Sequence, residues 1–526
     1  MSTIANLKEK LGSKEPEIFE KISRIPCSGA ELDAWHRKPG AFDRLTPPWE
    51  KMEILGDAPI EEGKQVTLRV RMGPFWKEWV AKYIKVKEGE EFTDVQVEGP
   101  FAEWRHRHRF IARGKGEAAK ECSLVDEVQY RAPLGPVGKF LGGWFFRRKL
   151  ERSFRYRHDL TKADIERAKQ HPPAAPMRIL ISGATGLIGR TLIPVLEMQG
   201  HTVIRLTRSS QRHSDIEWDP DAGRLDLSAA GKIDAVIHLA GENIAGGRWT
   251  KKQKDKLFYS RKRGTRLIAD TLAEMVDRPK VLISASGINY YEQNAINTHD
   301  EDSPIGTSFL SEVCREWELG NRPAEEAGIR VCKLRIGVVL TPAGGALKKM
   351  LLPFKLCAGG PVGSGRQRLS WIAIDDLIDM ITRALGDERW SGPVNAVAEE
   401  PVTNKEFGKA LGRALRRPAF IPAPGFALRL VFGPMVDETI LPDLPVYSKR
   451  LKEELGYDLR HPELDGALAH LLGAYPKEEF DPAPLVVTPP TQKPLPEKAP
   501  APIESSDGDS QPSPQLPKDT KAPSPP

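Results

Sequence analysis

The sequence predicts a doubly wound α/β sheet over residues 177–410, with a small C-terminal region over 411–475. An α+β unit over 1–167 precedes it, and a disordered Pro-rich tail over 476–526 follows. Three observations carry this reading. An apolar strand at Ile179, Leu180 and Ile181 runs straight into three spaced glycines and a helix. Strand-like and helix-like segments alternate from 177 to about 475, as a parallel sheet requires. Pro-rich stretches at 168–176 and from Asp481 onward mark where that region starts and stops.

The N-terminal unit reads as mostly β. Val66, Leu68, Val70 and Met72 alternate along Gln65–Met72 and are expected on one face. Further strands are expected at Trp79–Val86, Phe92–Val97, Trp104–Ile111 and Ser123–Tyr130. A long helix is expected over 139–158, carrying Phe140, Trp144, Leu150 and Phe154. An antiparallel sheet curled round one helix can enclose an apolar pocket, so an apolar ligand is a candidate partner. Arg147, Arg148, Lys149, Arg152, Arg155 and Arg157 on that helix read as a solvated basic face, with an acidic ligand or surface as the sharper alternative. His106 and His108, two apart in a strand, share a face. With His36 they invite a metal reading, but no carboxylate or cysteine partner is evident nearby, so no metal site is expected. The stretch from Trp35 to Trp49 (WHRKPGAFDRLTPPW) resembles the SRPBCC family of START-like helix-grip domains. The likeness runs over roughly 17–165 and implies a fold and a pocket, not a reaction.

Residues Met177–Gly189 read MRILISGATGLIG, followed by a helix over Arg190–Gln199 and a strand at Thr202–Leu206. Gly183 permits the tight turn, Gly186 lets the backbone approach a pyrophosphate, and Gly189 lets helix and strand pack closely. Thr185, Leu187 and Ile188 complete the turn, and the helix N-terminus favours anions. This is a Rossmann nucleotide-binding unit. An NAD site calls for an acid about 20 residues past the first glycine. Here the second strand ends in Thr207-Arg208-Ser209-Ser210, and no acid appears until Asp215. Arg208 can pair with a 2′-phosphate, which selects NADP(H) over NAD(H) as the expected cofactor.

The next central strand ends in small residues, Ala240 and Gly241, across which a cofactor can lie. The following helix places Arg261 toward the phosphates, while Gly264 and Thr265 are expected in helix packing. A strand over Val281–Ser286 leads to Tyr290 and Tyr291, and a sixth strand is expected over Val331–Leu340.

Together these pieces resemble the atypical extended short-chain dehydrogenase/reductases, of NAD-dependent epimerase/dehydratase-like type. The matching motifs are GATGLIG (183–189), LAGENI (239–244), Ser260-Arg261, RIGVVL (335–340), LLPF (351–354), GGPVGSGRQ (359–367) and WIAIDDL (371–377). Residues 418–472 resemble that family's small C-terminal domain. The resemblance implies cofactor contacts from Thr207, Arg208, Leu239, Ala240, Arg261 and Val339, with Lys256 as a further candidate. It also exposes a departure. Such enzymes carry Tyr-x-x-x-Lys on one helix face, where the lysine lowers the tyrosine pKa. In this sequence Leu310 and Cys314 align with that pair, and no Tyr-x-x-x-Lys occurs anywhere in 177–475. Tyr290 or Tyr291 is the candidate substitute, with Ser286 orienting a carbonyl.

Three functions stay open on the sequence. One is an NADP(H)-dependent oxidoreductase with an unusual acid–base group, acting on a small-molecule substrate in a cleft between the sheet and residues 340–475. Another is a non-catalytic protein whose cofactor occupancy tunes binding. The third is a sugar-nucleotide epimerase. Of the 526 residues, 78 Lys+Arg against 72 Asp+Glu give +6, too small a balance to point to nucleic acid. The five cysteines form no CxxC pair, no apolar run approaches a membrane span, and the N-terminus has no apolar signal core. A reducing, cytoplasmic setting is the expectation. From Asp481 the chain holds fourteen of the 45 prolines and no aromatic residue, a composition that cannot offset ordering entropy.

Overall fold

The structure, a computed structural model, describes residues 16–56, 59–113, 120–131, 135–209, 212 and 214–475, with the side chains of 135–143 excepted. The expected Pro-rich tail lies outside the described residues.

The N-terminal region is a seven-stranded antiparallel sheet in the order β1-β7-β6-β5-β4-β3-β2. Its strands are β1 (Glu17–Ile25), β2 (Met52–Leu55), β3 (Gln65–Met72), β4 (Phe75–Lys87), β5 (Glu91–Glu98), β6 (Glu103–Arg113) and β7 (Glu121–Arg131). The sequence reading missed β1 and β2, and also two short helices, Gly29–Arg37 and Ala41–Leu45. Val66, Leu68 and Val70 face inward as expected. Met72 is exposed, because it pairs with Phe75 at the end of the β3–β4 hairpin. The long helix is longer than expected, Gly135–Gln170, and consumes the start of the anticipated linker.

Apolar side chains of the sheet and the long helix pack together. Phe19, Trp104, Val128, Tyr130, Leu150 and Phe154 form one core cluster. Beside it lies a layer of buried polar side chains that includes His106, His108 and Asp126. His106 and His108 do share a face. However, the expectation that no carboxylate lies near them is overturned by the register. Asp94 on β5 is paired with His106, and Asp126 on β7 with His108. Strand partners lie far apart in sequence, which is why the pairing was invisible there.

The second region is an eight-stranded sheet in the order β11-β10-β9-β8-β12-β13-β14-β18. Its leading strands are β8 (Arg178–Ser182), β9 (Thr202–Thr207), β10 (Ile216–Asp219), β11 (Arg224–Leu225), β12 (Ala235–His238), β13 (Val281–Gly287) and β14 (Arg330–Ile336). There follow β15 (Val338–Leu340), β16 (Arg368–Leu369), β17 (Trp371–Ala373) and β18 (Gly392–Ala396). The pairs from β10–β9 through β14–β18 run parallel. Strand order reverses between β8 and β12, and ligands of such sheets bind at that reversal. The expected sixth strand is two strands. The chain breaks at Gly337, where a Cβ would stand 2.9 Å from the Ser370 carbonyl, and β15 leaves the main sheet to pair with β17.

The C-terminal helix Leu464–Leu472 packs into the same core as Ile179 and Ile181, so the small region is an extension of the Rossmann core. The N-terminal region is equally fixed to that core. Met198, from the first Rossmann helix, sits in an N-terminal core cluster with Leu32 and Phe110. Gly40, at φ 82°, lies against Pro194 of that helix, where a Cβ would meet the carbonyl at 2.6 Å. Buried Arg44 bonds Asp164 through Nε at 2.8 Å and Asp375 through Nη1 at 2.7 Å. Arg167 pairs with Asp379 at 2.6 Å, and Arg460 with Asp164 at 2.6 Å. The separation read from the prolines therefore gives way to a shared, charged and buried seam.

Candidate functional site

The glycine turn sits at the sheet's reversal point. Gly183 adopts φ 75°, and a Cβ there would lie 2.8 Å from the Leu239 carbonyl carbon, so only glycine lets β8 and the end of β12 approach this closely. Gly186 donates its N–H to the Gly183 carbonyl at 2.9 Å. Gly189 is buried, and a Cβ there would stand 2.4 Å from the same carbonyl. The helix starts at Leu187, three residues earlier than expected, with Gly186 as its N-cap and no side chain bonding its first N–H groups. Those N–H groups lie beside the exposed Thr185 and Gly186, at a helix N-terminus of the kind that favours anions. Leu187 and Ile188 are half-buried beside it. The Leu187 side chain lies under Gly344, on the loop after β15 that carries Val339.

Beyond the end of β9 the first acid in sequence is Asp215. Arg205 holds Asp215 through two bonds of 2.7 Å, so this carboxylate is occupied. The Thr207 hydroxyl is buried without a hydrogen-bond partner, and Arg208 is exposed and makes no ion pair among the described residues. At the end of β12, Leu239 and Ala240 are half-buried and Gly241 is exposed. Arg261 is buried, and its guanidinium would lie 3.1 Å from a Cβ on Gly241. Its ring partner is Trp317 at 4.6 Å and its hydrogen bond runs to the Leu257 carbonyl at 3.2 Å. Burial holds its pKa down to about 10, a cost that an anion beside it would relieve. Lys256 is exposed on the same helix.

Sequence reasoning missed the chain Ser182–His238–Thr265. His238 Nδ1 lies 2.6 Å from the Ser182 hydroxyl, and Nε2 lies 2.9 Å from that of Thr265. Burial, with Arg261 nearby, pushes His238 down to about 3, so it is a neutral link between β8, β12 and the helix Lys251–Glu274. Thr265 thus does more than pack.

The candidate acid–base residues separate on inspection. Ser286 donates to Glu318 Oε1 at 2.8 Å and is buried. Tyr291 is fully buried; its hydroxyl donates to Asn395 at 2.7 Å and accepts from Arg335 Nη1 at 2.8 Å. Burial raises its pKa, against the pull of Arg335. Arg335 closes the group by a bidentate pair with Glu318 at 2.8 and 2.9 Å. Both hydroxyls are committed to this network. Tyr290 alone of the three is half-exposed, and the Arg335 guanidinium lies 3.6 Å from its ring centroid. Leu310 is buried among Trp249, Leu257 and Met435. Cys314 is buried against Gly287, and burial pushes its thiol up to about 12, which removes it as a nucleophile. A glutamate eight residues past Leu310 and an arginine on β14 carry no spacing signal that would join them in advance.

The family profile described as the NAD dependent epimerase/dehydratase family matches residues 179–396, and a domain of unknown function (DUF1731) matches 423–471. Epimerase family protein Mb2239 of Mycobacterium bovis is 38% identical over 293 residues, covering 56% of this chain and 96% of that protein. Human epimerase family protein SDR39U1 is 37% identical over 301 residues, covering 56% of this chain and all of that protein. A structure of human SDR39U1 (isoform 2) with NADPH superposes with TM-score 0.52 at 36% identity, over 56% of this chain and 99% of that one. A structure from Corynebacterium glutamicum, described as a nucleoside-diphosphate sugar epimerase, superposes with TM-score 0.71 at 30% identity. It covers 86% of this chain and 90% of that one, so the likeness extends into the N-terminal sheet. No described helix is long and apolar enough to cross a membrane. With a glycine turn at the reversal point of a parallel sheet and relatives matched over nearly their whole length, the chain belongs to the SDR39U1-like epimerase family of the NAD-dependent epimerase/dehydratase group.

Proposed function

We propose that this chain is an NADP(H)-binding oxidoreductase of the atypical extended short-chain type. The observation that carries the cofactor choice is the end of β9, where Arg205 occupies Asp215 and the Thr207 hydroxyl has no hydrogen-bond partner, so Thr207 and Arg208 would be available to a 2′-phosphate. The NADPH in the human relative supports the same choice. Gly183, Thr185, Gly186, Leu187, Ile188 and Gly189 would hold the pyrophosphate. Leu239, Ala240, Gly241, Arg261 and Val339 would flank the rest, with exposed Lys256 at the rim. The Thr207 hydroxyl, without a hydrogen-bond partner, and buried Arg261, which makes no ion pair among the described residues, both fit a phosphate-bearing ligand. The bound nicotinamide would supply hydride transfer. Tyr290 is the group left to exchange a proton with a small-molecule substrate, between the sheet and residues 340–475.

A non-catalytic reading has its own observation. The two positions that carry the family dyad hold buried Leu310 and Cys314, and the hydroxyls of Ser286 and Tyr291 are tied up. The helix-grip likeness of the N-terminal region is supported by its layout, seven antiparallel strands and one long helix.

Fluorescence titration with NADPH and with NADH separates the cofactors, and NADPH oxidation over a panel of carbonyls and sugar nucleotides separates the functions. Tight NADPH binding with substrate-dependent oxidation supports the oxidoreductase. Tight binding with no turnover on the whole panel supports the binding protein. No binding of either nucleotide overturns both.

A further inference from the structure

The buried polar layer of the N-terminal sheet has a donor set that the nucleotide site does not use. β6 presents His106 and His108 on one face, with Asp94 opposite the first and Asp126 opposite the second. Ligand atoms of Asp94, His106 and His108 all lie within 4.8 Å of one another. The Asp126 carboxylate adds Oδ1 at 2.6 Å from His108 Nδ1 and 3.4 Å from His106 Nε2. A four-coordinate ion with bonds of about 2.1 Å holds its ligands roughly 3.4 Å apart, so the 2.6 Å contact must open and the wider ones, up to 4.8 Å, must close for the set to hold one.

Three of these donor atoms make only poorly aligned polar contacts. His106 Nε2, His108 Nδ1 and Asp126 Oδ1 are all buried, and their mutual contacts of 2.6 and 3.4 Å are not aligned as hydrogen bonds. The three residues are 6%, 4% and 2% exposed. The three atoms face one another as a tight polar cluster, which an ion held among them would satisfy with better-directed bonds. A second layer is in place as well. His158, fully buried on the long helix, bonds Asp126 Oδ2 at 2.8 Å and would fix that carboxylate's orientation.

We propose that Asp94, His106, His108 and Asp126 form a binding site for one divalent transition metal ion, with His158 as the positioning residue behind Asp126. Two imidazoles and two carboxylates, without a thiolate, suit zinc and its neighbours better than calcium, which takes oxygen ligands only, or copper(I), which takes sulfur. The site ties β5, β6 and β7 to the helix that also reaches the Rossmann seam through Asp164 and Arg167. The inference stands apart from the nucleotide reading.

The test uses the full chain, stripped with chelator and dialysed against Zn²⁺ and then Co²⁺. One Zn²⁺ per chain and visible Co²⁺ bands of a four-coordinate centre are expected. His106→Gln, His108→Gln or Asp94→Asn should weaken Zn²⁺ binding by about 100-fold or more, beyond the usual loss for an outer-shell residue. A second cluster, Asp375, His461 and His470, is the control, and His461→Gln should retain the ion. Should the interior variants fail to fold, paramagnetic shifts in the Co²⁺-loaded wild-type chain decide the matter. They must fall on the His106 and His108 imidazoles. Absence of stoichiometric Zn²⁺, unchanged affinity in the folded variants, loss in His461→Gln, or shifts centred on His461 and His470 would each overturn the proposal.

Discussion

Arg44→Ala is the sharpest probe of how the two regions are joined. Arg44 is 7% exposed and gives three charged hydrogen bonds, two to Asp164 at 2.8 and 2.9 Å and one to Asp375 at 2.7 Å. Removing one partner of a buried pair leaves an uncompensated charge and costs about 3–5 kcal/mol. Asp164 keeps Arg460 at 2.6 Å and Asp375 keeps His470 at 3.3 Å, so the lower end, about 3 kcal/mol, is expected. The pH dependence has a definite sign. Burial opposes the Asp375 charge, but Arg44 and His470 outweigh it and hold the folded pKa well below the ordinary value. A depressed carboxylate contributes stability that is present above its unfolded pKa and lost as pH falls through the folded one. The Arg44→Ala penalty is therefore full at pH 7 and shrinks below about pH 4. Urea unfolding of wild type, Arg44→Ala and Arg44→Ala/Asp375→Asn at pH 7 and at acid pH measures this, and the double variant should recover part of the loss. A penalty under about 1 kcal/mol at pH 7, the size of an exposed pair, would refute the buried-seam argument.

The other expected outcomes are briefer. Arg208→Asp should weaken NADPH binding by about 10- to 100-fold and shift preference toward NADH, read as a ratio of two titrations; an unchanged ratio removes Arg208 from the site. Deleting residues 1–170 should yield an unstable or aggregating Rossmann fragment, because it strips Arg44 from Asp375 and Arg167 from Asp379; a soluble fragment with wild-type melting behaviour would contradict the seam. Tyr291→Phe should cost about 1–3 kcal/mol by orphaning Asn395 and Arg335 contacts, whereas Tyr290→Phe should leave the melting temperature nearly unchanged. Equal effects of the two would mean the burial difference between them has no energetic content.

What could be read from sequence was what sequence neighbours decide. The turn from Gly183 to Gly189 follows from local backbone constraints, and the structure keeps Gly183 and Gly189 where no Cβ fits and Gly186 where one would stand 3.1 Å from the Gly183 carbonyl. Alternation along Gln65–Val70 worked for the same reason, and failed at Met72 only where the hairpin ends. Contacts between distant segments were not legible. Asp94 and Asp126 stand 12 residues before and 18 after the histidines they face, and strand register alone brings them together. The linker was misjudged for a related reason. Prolines at Pro172 and Pro173 do end the long helix, but composition says nothing about Arg44, some 120 residues earlier, reaching Asp164.

The lost dyad and the Arg335 network bear on each other. In the ordinary arrangement a lysine one turn past the tyrosine supplies the field that makes a phenol a useful acid. Here the cation comes from β14 instead, and Arg335 lies 3.6 Å from the Tyr290 ring and 5.1 Å from that of Tyr291. Its charge is not free to act, because Glu318 grips it through two bonds in a buried setting. A paired guanidinium presents a dipole to Tyr290, with far less reach than a bare charge. Glu318 also fixes Ser286, and Tyr291 fixes Asn395 of β18, so the same bonds that neutralise Arg335 brace the C-terminal ends of β13, β14 and β18. The arrangement is therefore built first for rigidity at the sheet's edge of the cleft. On the proposed oxidoreductase reading, chemistry at Tyr290 would have to draw its charge stabilisation from the cofactor or the substrate, so turnover would require a substrate that brings that charge with it.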